Sequence, residues 1–150
     1  MSFDADILVV APGGRIHLVA ETKPSLSPAE REASAAALKH YMVSMRCPVG
    51  LLVTRETLGL FRDRYTDYTA ESVEEVGEFM TTEIESLRAA RDPVELEQAV
   101  RDWLEDLPSS SARSRLPTDL REAIEEYVLP ALEEGEVRAS GPRPEHRTTT

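Results

Sequence analysis

Asp6-Ile-Leu-Val-Val-Ala-Pro-Gly-Gly-Arg-Ile-His-Leu-Val-Ala-Glu-Thr-Lys23 is the stretch that decides the fold. Two runs rich in β-branched residues flank Pro12-Gly13-Gly14, a pattern that predicts a β-hairpin. In the second run, alternation places Ile16, Leu18, Ala20 and Thr22 on one face. Arg15, His17, Val19, Glu21 and Lys23 fall on the other, so one face is expected to be core and the other polar. Glu21 and Lys23 then lie roughly 7 Å apart along the strand, on the same side. A carboxylate there can hold a hard cation while the ammonium reaches the same reacting phosphate. On its own such a pair is more often a solvated surface pair, so its specificity rests on its surroundings.

Downstream, Ser27-Pro28-Ala29-Glu30 carries a Ser cap, a Pro at the first helical position and a Glu three residues after the cap, and a helix is predicted to start there. Its apolar positions Ala33, Ala37, Leu38, Tyr41, Met42 and Met45 recur at spacings of three and four until Cys47-Pro48. Val49-Gly-Leu-Leu-Val-Thr54 reads as a buried strand, with Thr57 to Phe61 as its hairpin partner. From Ser72 the apolar residues Val73, Val76, Met80, Ile84 and Leu87 suggest a second capped helix. Asp92-Pro93 opens a third, with a stripe of Leu96, Val100, Trp103, Leu104 and Leu107. Residues 108–117 read as a linker, and Thr118 caps a last helix that ends at Gly135. The expected organisation is therefore a core over residues 1–70, acidic helices packing on or extending it over residues 71–136, and a disordered tail over residues 137–150.

With 150 residues, 41% of them hydrophobic, the chain suffices for one ordinary core. No apolar run approaches the roughly 18 residues of a membrane helix, and no signal segment is visible, so a soluble cytoplasmic protein with no membrane partner is expected. The single cysteine, Cys47, excludes both an internal disulfide and a cysteine-built zinc site, and is read as a small buried residue at a helix end. The net charge of -11 is unevenly spread. Residues 1–70 hold eight acidic and eight basic side chains, whereas residues 71–107 hold twelve acidic and three basic. The acidity belongs to the C-terminal half, which reads as solvated amphipathic helix.

An Asp heading an apolar strand, a hairpin to Glu-x-Lys, then a helix and a buried strand resembles the core of the PD-(D/E)XK nucleases. In particular, it is similar to the N-terminal nuclease domain of type I restriction enzyme motor subunits. Asp6-Ile-Leu-Val-Val, Ala20-Glu21-Thr22-Lys23-Pro24, Ala37-Leu-Lys-His-Tyr41-Met42 and Pro48-Val-Gly-Leu-Leu-Val-Thr54 carry the resemblance, which covers about residues 4–62. It implies an α/β (α+β) fold, with a mixed central sheet flanked by helices and further C-terminal helices. It also implies Asp6, Glu21 and the backbone carbonyl of Thr22 as ligands of Mg²⁺ or Mn²⁺, with Lys23 orienting or deprotonating the attacking water. Lys39 and Tyr41 would face DNA. The sequence departs from the pattern at Ala37, where these domains commonly carry Gln. It departs too from the many members that carry an acidic residue on a helix before the first strand, a helix that is absent here unless another chain provides it.

Two functions follow from the resemblance. One is a metal-dependent DNA endonuclease of a restriction or other defence system. The other is a catalytically degenerate nuclease fold that serves as a binding or assembly module. Because the acidic half repels phosphate, the isolated chain is expected to need a homodimer or a second polypeptide, docked on the stripe around Trp103. His17, roughly 13 Å along the strand from Glu21, is too distant to share its ion, and His40 is read as an exposed helix residue without a role.

Overall fold

The fold was read from a computed structural model, which describes residues 5–139. The predicted hairpin pairs β1 (Ile7–Val10) with β2 (Ile16–Thr22) in antiparallel register, Ile7 opposite Ala20. A long helix, α1 (Pro28–Met45), then returns the chain so that β3 (Val49–Val53) runs parallel to β2. Parallel neighbours need such a crossover, and α1 supplies it. The helix starts at the expected capping box, in which Ser27 Oγ accepts from Glu30 N at 3.2 Å and Glu30 Oε1 accepts from Ser27 N at 2.8 Å. It sits close on β3 because Gly50 has no side chain: a Cβ there would lie 2.5 Å from Met42 Sδ.

Strand β4 (Thr57–Asp63) forms the expected hairpin with β3, and β5 (Val73–Met80) pairs antiparallel with β4. Five helical segments follow: α2 (Glu85–Arg88), α3 (Pro93–Asp106), α4 (Ser110–Ser114), α5 (Thr118–Ala123) and α6 (Leu129–Glu133). A π-helical turn, Ile124–Val128, joins the last two. Pro130 has no N–H to offer the carbonyl of Glu126, and the ladder widens so that Leu129 N–H bonds the Ile124 carbonyl instead. Last comes β6 (Glu136–Ala139), which covers the outer edge of β1. The result is a six-stranded mixed sheet in the order β5-β4-β3-β2-β1-β6. One face carries α1 over Val19, Leu52 and Phe61, and the other carries the C-terminal helices over Leu18, Leu51, Leu58 and Leu60. No helix among the described residues is long and apolar enough to cross a membrane.

Four expectations are corrected. Residues 73–80 form a strand, not a helix. Leu60 pairs with Gly77 but Phe61 pairs with Glu75, so Val76 is an extra bulged residue that breaks the period of two and leaves a helix-like spacing of apolar positions. Ser72 caps no helix there; its hydroxyl accepts from Thr66 N and donates to the buried Asp63. Residues 136–139 are ordered by pairing with β1, where Gly135 packs so tightly that a Cβ would meet Val9 Cγ1 at 2.6 Å. The remainder of the expected disordered tail, residues 140–150, lies outside the described residues.

The expected polar face of β2 is also buried, with Val19 fully enclosed under α1. A bulge between Val9 and Val10 leaves His17 unpaired, so Ile16 packs with Val19 on the α1 side instead of with Leu18. Finally, Leu96, Val100, Trp103, Leu104 and Leu107 are buried against the chain's own sheet and offer no partner surface.

Candidate active site

Continuing the β1–β2 register by one residue sets Asp6 opposite Glu21 on the same side of the sheet, where facing Cβ atoms stand about 5 Å apart. Asp6 Oδ2 accepts two hydrogen bonds from Thr22, from its N at 2.8 Å and from its Oγ1 at 3.1 Å. Glu21 is only 7% exposed. Its Oε2 lies 3.5 Å from Lys23 Nζ, and its carboxyl is close enough to that of Asp6 to share a proton with it. Burial, then the charge of Asp6, push the Glu21 carboxyl up to about 8, and Lys23 only partly opposes this. The side chain is thus largely protonated near neutrality, because ionising it in so enclosed a place beside Asp6 is costly unless a cation relieves it. Lys23 itself is half-exposed at the strand end, where its N–H bonds Val53 O at 3.0 Å.

The sheet therefore brings Asp6, Glu21, Thr22 and Lys23 together at one end. The Thr22 hydroxyl, a second anchor for Asp6, was missed by sequence reasoning; no residue pattern marks a threonine that reaches across a strand. Among the described residues, no cluster of three or more His, Cys, Asp or Glu side chains could hold a metal ion. A cavity of about 160 Å³ lined by Pro24, Leu26, Arg31, Leu52, Glu56 and Glu78 lies on the α1 side near this end, without Asp6 or Glu21 in its wall.

Lys39 and Tyr41 are positioned differently. Two residues apart on α1, they point to opposite flanks of the helix. The Lys39 ammonium lies 5.9 Å from the centre of the Phe61 ring. Phe61 is two strands across and two residues along from Glu21, about 12 Å away on strand spacings. Tyr41 packs half-buried against the α1-side core, and burial raises its hydroxyl pKa. Cys47 is buried as expected, its thiol pushed up to about 12 by burial and donating to Val49 O. His17 lines a cleft with Arg62, Tyr127 and Pro130 at the far end of the strands, and His40 is exposed.

Comparison of the chain with protein-family models, with curated proteins and with solved structures finds no match.

Proposed function

We propose that the chain is a nuclease of the PD-(D/E)XK type that hydrolyses DNA phosphodiester bonds. The observation that carries this reading is the facing pair Asp6 and Glu21, close enough for the two carboxyl groups to share a proton, with Lys23 beside them. Two carboxyl groups held together, one of them buried with a raised pKa, are what a hard divalent cation would relieve in place of a shared proton. Asp6, Glu21 and the Thr22 carbonyl would hold Mg²⁺ or Mn²⁺, which supplies a Lewis acid for the phosphate and a water of lowered pKa. The Thr22 amide and hydroxyl fix the rotamer of Asp6, so one carboxylate is oriented before any ligand arrives. Lys23 presents an exposed ammonium on the same side, able to orient a water or meet charge developing on a phosphate. With two side-chain ligands here, a second copy or a second polypeptide would complete the site.

The second reading is a degenerate nuclease fold kept as a binding or assembly module. Ala37, in place of the Gln of the restriction domains, and the lack of a third acidic ligand among the described residues favour it. Calorimetric Mn²⁺ titration and cleavage of supercoiled DNA separate the two. The nuclease reading expects Mn²⁺ binding that Asp6→Asn and Glu21→Gln abolish, and cleavage that Lys23→Ala lowers at least about a hundredfold without loss of fold. Wild-type protein that neither binds Mn²⁺ nor cuts would leave the module.

A further inference from the structure

At the opposite end of the sheet, three separate segments converge on one exposed cluster. Arg46, the residue that closes α1, holds its guanidinium 5.0 Å from the Tyr65 ring centre and 5.2 Å from that of Tyr68. Arg15, from the β1–β2 turn, reaches the Tyr65 side chain, and the Tyr65 hydroxyl donates to Arg46 O at 3.4 Å. Arg64 is next in the chain, anchored on the carbonyls of Glu71 and Ser72. Tyr65 is 42% exposed and Tyr68 81%, with Met45 exposed beside them at 46%.

The backbone singles out the same place. Among the described residues, Arg46 (φ 55°) and Tyr65 (φ 58°) are the non-glycine residues with positive φ. Each occupies a left-handed conformation that costs an L-residue on the order of 1 kcal/mol, yet glycine is used at neither. Three carboxylates, of Asp63, Asp67 and Glu74, are nearby and each is engaged, Glu74 by Arg62 at 2.6 Å. Asp63 is buried and accepts from Ser72 Oγ and Tyr65 N, while Asp67 turns back onto Thr69. Three guanidinium groups and two exposed tyrosine rings, each with Arg46 over one face, thus share a surface whose carboxylates are already engaged.

We propose that this cluster binds single-stranded nucleic acid, with unpaired bases stacking on Tyr68 and Tyr65 and phosphates meeting Arg15, Arg46 and Arg64. Rings that can stack on any base, flanked by cations that follow a backbone, are what sequence-tolerant single-strand recognition uses. An acidic peptide would satisfy the arginines but leave the ring faces idle, and a rigid duplex hides its bases from them. The cluster goes beyond the carboxylate site and does not rest on it: Pro48, at the level of Asp63, lies four residues along β3 from Leu52, the neighbour of Glu21, or about 13 Å.

The test is fluorescence anisotropy with labelled oligothymidylate, in EDTA so that metal-dependent cleavage plays no part. The full chain should bind the single strand more tightly than a duplex of equal length, with a log–log salt slope of roughly -2 for three phosphate contacts. Tyr68→Ala should weaken binding about tenfold while Tyr68→Phe retains it, and Arg46→Gln should weaken it and flatten the salt slope. Lys23→Ala should leave it unchanged, which keeps this site distinct from the nuclease reading. No binding at protein concentrations up to about a hundred micromolar would overturn the proposal. So would binding that Tyr68→Ala leaves intact, a preference for duplex, or equal competition by polyglutamate.

Discussion

The two ends of the sheet place their polar chemistry in opposite environments. At one, Glu21 is almost wholly enclosed beside the Asp6 carboxylate, and its pKa is raised. At the other, Tyr68 and Arg15 are open to solvent, and the charged groups around them are paired or stacked. Burial strengthens electrostatics, so the carboxylate end concentrates unfavourable free energy that a cation can release. Exposure keeps ring faces accessible but makes each contact weak, so the tyrosine end can act only by summing several. On the proposed readings, one end would take a small hard ligand and the other an extended one.

The largest effect that would sharpen this contrast is a pH-dependent one at Glu21. Its pKa is about 8 in the folded chain against an ordinary value of 4.5, so between those values the folded state binds more protons than the unfolded state. Stability must therefore fall as pH rises through that window, by an amount on the order of a few kcal/mol. Glu21→Gln is expected to raise the melting temperature at pH 8 and to change it little at pH 4.5. Thermal melts showing the same shift at both pH values would remove burial of this charge from the account.

A smaller effect is expected at the other end. Arg46→Gly replaces a left-handed arginine with the residue best suited to close a helix, and should stabilise the fold by about 1 kcal/mol in urea titrations. A loss of stability would mean that stacking between Tyr65 and Tyr68 outweighs the backbone strain. The smallest is Tyr68→Ala: with the side chain 81% exposed, stability should stay within about 0.5 kcal/mol of wild type. A larger loss would make that tyrosine a structural cap instead of an open platform.

The carboxylate end was far more legible in the sequence than the arginine–tyrosine end. Asp6 and Glu21 flank one tight turn, so a hairpin register alone brings them face to face, and the capping box of α1 is local for the same reason. Arg15, Arg46 and Tyr65 come from three segments that only the crossover topology unites, and no periodicity connects them. The misread strand and the misplaced Ile16 share one cause. The bulges at Val76 and His17 each insert one residue, so the residues on the two sides of each bulge no longer keep a common period of two. Glu21 was placed on a polar face because its charge suggested solvent, whereas the closeness of α1 that buries it depends on the missing side chain at Gly50.

The pairing of β6 with β1 sets an order of assembly. Ile7 meets Ala139, so the outer edge of the strand that follows Asp6 is covered only by residues near the far end of the described chain. During synthesis the hairpin emerges early and α1 soon after, but β1 remains an open edge until β6 has left the ribosome. Loop closure over so long a segment is slow compared with forming the hairpin, so a half-made chain exposes a short apolar strand, Ile-Leu-Val-Val, with unsatisfied backbone groups. The last strand therefore acts as a built-in shield, and the time between the two events is the interval in which the protein is most open to association with other strands.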